Sequence, residues 1–191
     1  MTQNRSMKIS YFDVPKIEKF PLFRDERGFF SPTPLKDSWT QGNISFNEKI
    51  FVFRGVHYQE GSYAQSKCIQ VYTGKIADYI VDIRPESRTF GEVESFILEP
   101  GDCITIPRGY AHAFLTLAPN TIVQYFVDNV YSKQHEGSIA WDSIVYMEDE
   151  ILELVEDRTK IVISKKDQEG ETWENFEKRV LPERRTHSAS Y

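Results

Sequence analysis

Ile76-Ala77-Asp78-Tyr79-Ile80-Val81-Asp82-Ile83-Arg84 reads with a period of two. Ala77, Tyr79, Val81 and Ile83 take one face and Asp78 and Asp82 the other, the pattern of a half-buried β-strand. Working outward, the same alternation runs through most of residues 15–131. It is broken by the turn signals Gly61-Ser62, Thr73-Gly74, Arg84-Pro85 and Pro100-Gly101-Asp102, at the spacing of about 8–12 residues that marks antiparallel sandwiches and barrels. Past Trp141 the period lengthens. Ile151, Leu152 and Val155 within Glu148–Glu156, and Trp173 and Phe176 within Glu171–Arg179, recur at helical spacing. The expectation is a single domain over 1–191: a β-body with an N-terminal arm over 15–145, a helical segment over 146–183 and a frayed polar tail over 184–191. No internal repeat or low-complexity run interrupts it.

The 191 residues suffice for one sizeable core. No run of 18 apolar residues occurs and the opening MTQNRSMKIS has no apolar stretch, so neither a membrane span nor a secretory signal is expected, and the chain reads as cytoplasmic. A net charge of -6 argues against a nucleic-acid surface, which needs clustered Lys and Arg. Cys68 and Cys103 lie in strand-like segments without metal-ligand spacing and read as buried, reduced thiols.

Strand periodicity then sorts the polar residues by face. Phe51, Phe53 and His57 share a side of one strand, and Lys67 shares a side with Ile69 and Val71. Tyr125 sits between Val123 and Val127, and His112 beside Phe114 and Thr116. Taken singly, each has an ordinary structural reading: a lysine reaching solvent from a strand start, a packed tyrosine, a hydrogen-bonded core histidine. Pro107-Arg108-Gly109-Tyr110-Ala111-His112 is similar to the second motif of metal-binding cupin barrels. The first motif, however, would supply His-x-His and a glutamate, and here those places hold His57-Tyr58-Gln59 and Lys67, a cation that repels a metal. No bound metal is expected.

Eight stretches in register carry a more specific resemblance: DERGFF at 25–30, QGNIS at 41–45, RGVHYQ at 54–59, AQSK at 64–67, VDIRPESRTFG at 81–91, IPRGYAHAF at 106–114, QYFVDNVYS at 124–132 and ISKKD at 163–167. Together they resemble the dTDP-4-dehydrorhamnose 3,5-epimerase family. The resemblance implies a mainly β, cupin-like double-stranded β-helix (jelly-roll) barrel with a short helical C-terminal appendage, working as a homodimer on a sugar nucleotide without metal or other cofactor. It implies an isomerase that inverts C3 and/or C5 of a nucleotide-activated 4-keto-6-deoxyhexose in deoxysugar biosynthesis. By the same resemblance His57 is the general base, Asp167 its orienting partner and Tyr125 the proton donor on the opposite face of the sugar, with Lys67 near the C4 keto oxygen. Arg54, Gln59 and His112 match substrate-binding positions. Arg27, Gln41, Asn43, Glu136 and Lys166 match positions that hold the sugar nucleotide, Tyr131 matches the aromatic that stacks on its base, and Arg27 would act in the partner's site.

The chemistry of that set stands without the family name. A proton α to a ketone leaves readily only if the enolate is stabilised, and Lys67, with His112, supplies donors for it. Histidine is a natural base near neutral pH, and a carboxylate fixes its tautomer. The chain departs from the family at Pro32, where a nucleotide-binding glutamate is usual, which leaves the base open. Phe126 stands in place of a lysine, Trp141-Asp142 is a shortened Trp-Asn-Asp, and the spacing from Trp141 to Asp167 is long. The tail beyond 168 has no counterpart and reads as a helix on the barrel exterior or a dimer edge. A single-centre epimerase, a silent sugar-binding cupin and a 3,4-ketoisomerase are the alternative readings.

Overall fold

A computed structural model describes residues 14–33 and 35–181; the tail expected at 184–191 lies outside the described residues. In chain order the strands are β1 (Lys16–Lys19), β2 (Phe23–Asp25), β3 (Gly28–Phe30), β4 (Gln41–Asn47), β5 (Val52–Gln59), β6 (Lys67–Thr73), β7 (Ile76–Asp82), β8 (Val93–Leu98), β9 (Asp102–Ile106), β10 (Tyr110–Thr116), β11 (Thr121–Val127), β12 (Glu136–Ser138) and β13 (Val162–Ile163). The helices are α1 (Val145–Val155), α2 (Lys165–Gln168) and α3 (Trp173–Val180). One sheet runs β1-β9-β6-β11-β4. The other runs β12-β5-β10-β7-β8, with β13 parallel on β5, while β2 and β3 form a separate hairpin. This is the mainly β, cupin-like barrel that the alternation and the resemblance predict.

Two cores pack against the second sheet, one on each side. Between the sheets, Ile69, Val71, Ile104, Ile106 and Val123 meet Ile76, Ile80, Leu98, Tyr110 and Phe114. On the outer face of the second sheet, Phe53, Tyr58, Tyr79, Val81, Ala111 and Leu115 meet Trp141, Met147, Ile151, Val155 and Phe176 from the C-terminal third. The helical segment thus covers a sheet face that would otherwise meet water. Helix α1 begins at Val145, ahead of the expected Glu148, and α3 spans Trp173–Val180, close to the expected bounds.

This layering corrects the reading of Ile76–Arg84. Strand β7 is buried on both faces, because α1 covers the side of Ala77, Tyr79 and Val81 while Ile76, Asp78, Ile80 and Asp82 face the barrel interior. Its two aspartates are not solvated. Asp78 pairs with His112, and Asp82 is held by Arg84, Ser87 and Thr89. Alternation shows which residues share a face, but a charged side chain does not show that its face is wet when a partner lies within reach.

A second correction concerns β5. Phe53 joins the outer core, yet His57 does not share its side. Between β5 and β10 the pairs are Phe53↔Leu115, Arg54↔Phe114 and His57↔His112, so three steps on β5 match two on β10. The extra residue at Gly55-Val56 is a β-bulge, and it reverses the side-chain parity. Arg54 and His57 consequently both face the barrel interior, with Val56 and Tyr58 turned to the outer core. Gly55 is required there. Its φ is +140°, and a Cβ would stand 2.3 Å from the Cβ of Ala113.

Candidate active site

A cavity of about 600 Å³ opens at one end of the barrel, lined by both sheets and by α2. From the second sheet come Arg54 and His57 of β5 and His112 of β10. From the first come Gln41 and Asn43 of β4, Lys67 of β6 and Tyr125 of β11. The predicted faces of Lys67 with Ile69, Tyr125 with Val123 and Val127, and His112 with Phe114 all converge on this cavity.

His57 Nε2 lies 2.8 Å from Asp167 Oδ1. The nitrogen facing a carboxylate is the one that donates, which leaves Nδ1 as the acceptor. Asp167 arrives on α2, whose N-cap Ser164 accepts the Asp167 amide, and Asp167 Oδ2 accepts from the Gly55 amide. Burial alone pushes the Asp167 carboxyl up, but the hydrogen bond and charge of His57 with the Gly55 amide hold it below the ordinary value. The carboxylate is therefore ionised beside the ring. The long spacing from Trp141 to Asp167 does not separate the pair, because α1 fills the intervening chain and β13 then returns parallel to β5.

A second pair faces the same space: His112 Nε2 is 2.6 Å from Asp78 Oδ1, with the aspartate wholly buried. Asp78 is the residue that the sequence reading assigned to the solvent side. Lys67 donates to the carbonyl of His57 at 3.2 Å, and its ammonium is pushed down to about 8 by burial, opposed by the charges of Asp78 and Glu136. Tyr125 is raised above its usual value by burial, with Arg54 opposing. Its hydroxyl makes no hydrogen bond among the described residues, so it is available to a ligand. Arg54 is aimed by its Nε bond to Asn47 Oδ1 at 2.8 Å.

Toward the mouth, Glu136 joins Tyr131 and Lys166: the Tyr131 hydroxyl donates to Glu136 Oε2 at 3.0 Å and Lys166 Nζ stands 2.7 Å from it. Gln41 donates to Asn43 at 2.6 Å. Gln59 lines the cavity, but its amide donates to the carbonyls of Tyr63 and Val130 and accepts the Ser132 amide. It braces the loop that presents Tyr131. Arg27 is not brought to this site. It sits exposed at the β2–β3 turn, bound to Asp25. Asn47 and Asp78 were missed in the sequence; the polar row Gln41, Asn43, Ser45 on alternate residues of β4 extends to Asn47 and was the available signal.

A family model for dTDP-4-dehydrorhamnose 3,5-epimerase matches residues 13–175. The chain belongs to that family. It is 34% identical over 178 residues to the dTDP-4-dehydrorhamnose 3,5-epimerase of Methanothermobacter thermautotrophicus, covering 87% of this chain and 93% of that one. It is 38% identical over 133 residues to the Salmonella typhimurium enzyme, covering 63% and 72%. Among solved structures, the Bacillus anthracis dTDP-4-dehydrorhamnose 3,5-epimerase with TDP and PPi bound superposes with a TM-score of 0.70 at 31% identity, over 87% of this chain and 97% of that one. As a member of the dTDP-4-dehydrorhamnose 3,5-epimerase family, the protein is an isomerase of carbohydrates, an epimerase of deoxysugar biosynthesis.

Proposed function

We propose that the protein inverts C3 and C5 of a dTDP-4-keto-6-deoxyhexose through an enolate. The observation that carries this is the placement of His57, held by Asp167 of α2, on one sheet and of Tyr125 on the other, across one cavity that also holds Lys67. His57 Nδ1 takes the proton from the carbon beside the ketone, the electron pair of that C–H bond forms the C=C bond to C4, and the carbonyl π pair moves onto O4 as the enolate forms. Lys67 stabilises the negative oxygen, and His112, held by Asp78, lines the same space. Tyr125 returns a proton to the opposite face of the same carbon, and the imidazolium and phenolate reset by exchange with solvent. Arg54 binds the substrate in the same cavity, and Gln41, Asn43, Glu136, Lys166 and Tyr131 hold the sugar nucleotide. Supporting the substrate class, the Legionella pneumophila relative, at 28% identity and a TM-score of 0.71, was solved in complex with dTDP-4-keto-L-rhamnose.

The same reading makes the active unit a homodimer. Arg27 lies on a hairpin outside its own cavity, and that hairpin exposes Phe23 and Phe30. Ile44 and Phe46 on β4 are also exposed. Apolar surface of this kind suits a second copy, whose cavity would receive Arg27. No helix among the described residues is long and apolar enough to cross a membrane, and buried free thiols with a sugar-nucleotide substrate fit the cytoplasm.

The test is proton NMR with dTDP-4-keto-6-deoxyglucose in deuterium oxide. Exchange of both the C3 and C5 protons supports the proposal, exchange of one restricts it to a single-centre epimerase, and exchange of neither overturns it. His57→Ala should abolish turnover while leaving nucleotide affinity nearly intact; more than about a tenth of wild-type rate would remove His57 from the role of base. Tyr125→Phe should slow epimerisation more than exchange of the first proton, and equal losses in both would refute that division of labour.

A further inference from the structure

The two members of the His57–Asp167 pair are each followed by a residue of a second pair. Tyr58 comes next after His57 and points the other way, into the outer core. Glu171 lies four residues beyond Asp167. The Tyr58 hydroxyl donates to Glu171 Oε1 at 2.7 Å, and Arg179 Nη2 donates to both oxygens at 2.8 Å, while its Nη1 reaches Glu60 Oε1 at 2.7 Å. Phe176, one turn before Arg179 on α3, stacks edge-on against Tyr58 with ring centroids 5.4 Å apart. Glu171 is also tied by its backbone: its amide donates to the Ser138 carbonyl and its carbonyl accepts from the Ala140 amide. Gly170 makes that approach possible, since a Cβ there would stand 2.7 Å from the Ala140 nitrogen. The helical turn carrying Asp167 is thereby bracketed, by β13 on β5 before it and by Glu171 after it.

We infer that Glu171 and Arg179, acting through Tyr58, are positioning residues that hold Asp167 against His57, and that α3 belongs to the catalytic apparatus rather than serving only as a cover for the barrel. Phe176 and Arg179 lie beyond residues 13–175, so the part of the clamp that α3 supplies falls outside what the family model matches, while Tyr58 and Glu171 fall within it. The inference rests on the proposed role of the His57–Asp167 pair. The geometry explains why it would matter: a carboxylate steers a ring nitrogen only while it stays within hydrogen-bond distance, and a shift of about 1 Å is enough to lose a large part of the rate.

The experiment measures kcat and KM for Glu171→Ala, Arg179→Ala and Arg179→Lys, each alone and combined with Asp167→Ala. The two alanine variants should lower kcat about tenfold with KM within about twofold of wild type, and neither should lower kcat further once Asp167 is gone. Arg179→Lys should recover most of the loss. Unchanged kcat, or the same proportional loss in the Asp167→Ala background, would overturn the inference. Should Glu171→Ala fail to fold, Tyr58→Phe keeps the packed ring and removes only the bridging hydroxyl, and it is held to the same outcomes. A readout free of turnover is the downfield imidazole N–H proton of His57 in water, assigned by its loss in Asp167→Ala. It should broaden in Arg179→Ala and return in Arg179→Lys; an unaltered signal counts against the clamp. If wild type exchanges no substrate proton, or Asp167→Ala turns over as wild type, the functional reading fails, and this signal still decides the clamp.

Discussion

At the scale of single residues, Lys67 makes the sharpest pH statement. Its ammonium is pushed down to about 8 from an ordinary 10.5 because burial penalises the charge. If the protonated amine stabilises the enolate, kcat should fall as pH rises through about 8. Lys67→Arg, charged throughout, should remove that alkaline limb while lowering the plateau. Stability moves the other way. Between about pH 8 and 10.5 the unfolded chain still binds a proton that the native state has released, so this group's contribution to stability rises with pH. Paired kcat and urea-denaturation measurements across that window check both signs, and an activity that stays flat to pH 10 would remove Lys67 from the role of cationic stabiliser. The sequence revealed Lys67 because a lysine heading an apolar face is conspicuous. It did not reveal Asp78 as the partner of His112, because the charge of Asp78 counted toward a wet face, and only the packing of β10 beside β7 brings the two within 2.6 Å.

At the scale of elements, the bulge in β5 decides whether the site exists. Without the extra residue, Arg54 and His57 would point to opposite sides of the second sheet, and His57 would sit in the outer core with Phe53. Gly55→Ala should test this: the backbone there is left-handed and the added methyl meets Ala113. We expect a loss of about 2–4 kcal/mol in urea denaturation together with loss of turnover. A variant as stable and active as wild type would mean that the bulge tolerates a side chain. The strand itself was legible from alternation, whereas the bulge was not, since a period-two reading carries no marker for one inserted residue unless the glycine is recognised as its cause.

For the whole molecule, the two-layer core makes the C-terminal third a structural necessity. Met147 and Ile151 are wholly buried between α1 and the second sheet, so Ile151→Ala should cost about 2–5 kcal/mol, measured by urea denaturation. A loss under about 1 kcal/mol would mean that α1 rests loosely on the barrel. The proposed dimer is tested at the same scale. Light scattering should give twice the chain mass, and Arg27→Ala should raise KM while leaving the proton chemistry intact. A monomer with an unchanged KM would place Arg27 outside the site.

Alternation, turn spacing and eight motifs in register determined, by sequence alone, a mainly β barrel with a helical C-terminal segment and its family, and through the resemblance named His57, Lys67, His112 and Tyr125 as members of one site. These are local properties, since a strand's period and a motif's order are written along the chain. Tertiary structure alone decided which side of β5 His57 faces, that both faces of β7 are dry, that Asp78 meets His112, and that Asp167 is bracketed by β13 and Glu171. Each depends on residues far apart in sequence, where the cost of burying a charge and the register between strands are set by the partner and not by the chain's own pattern.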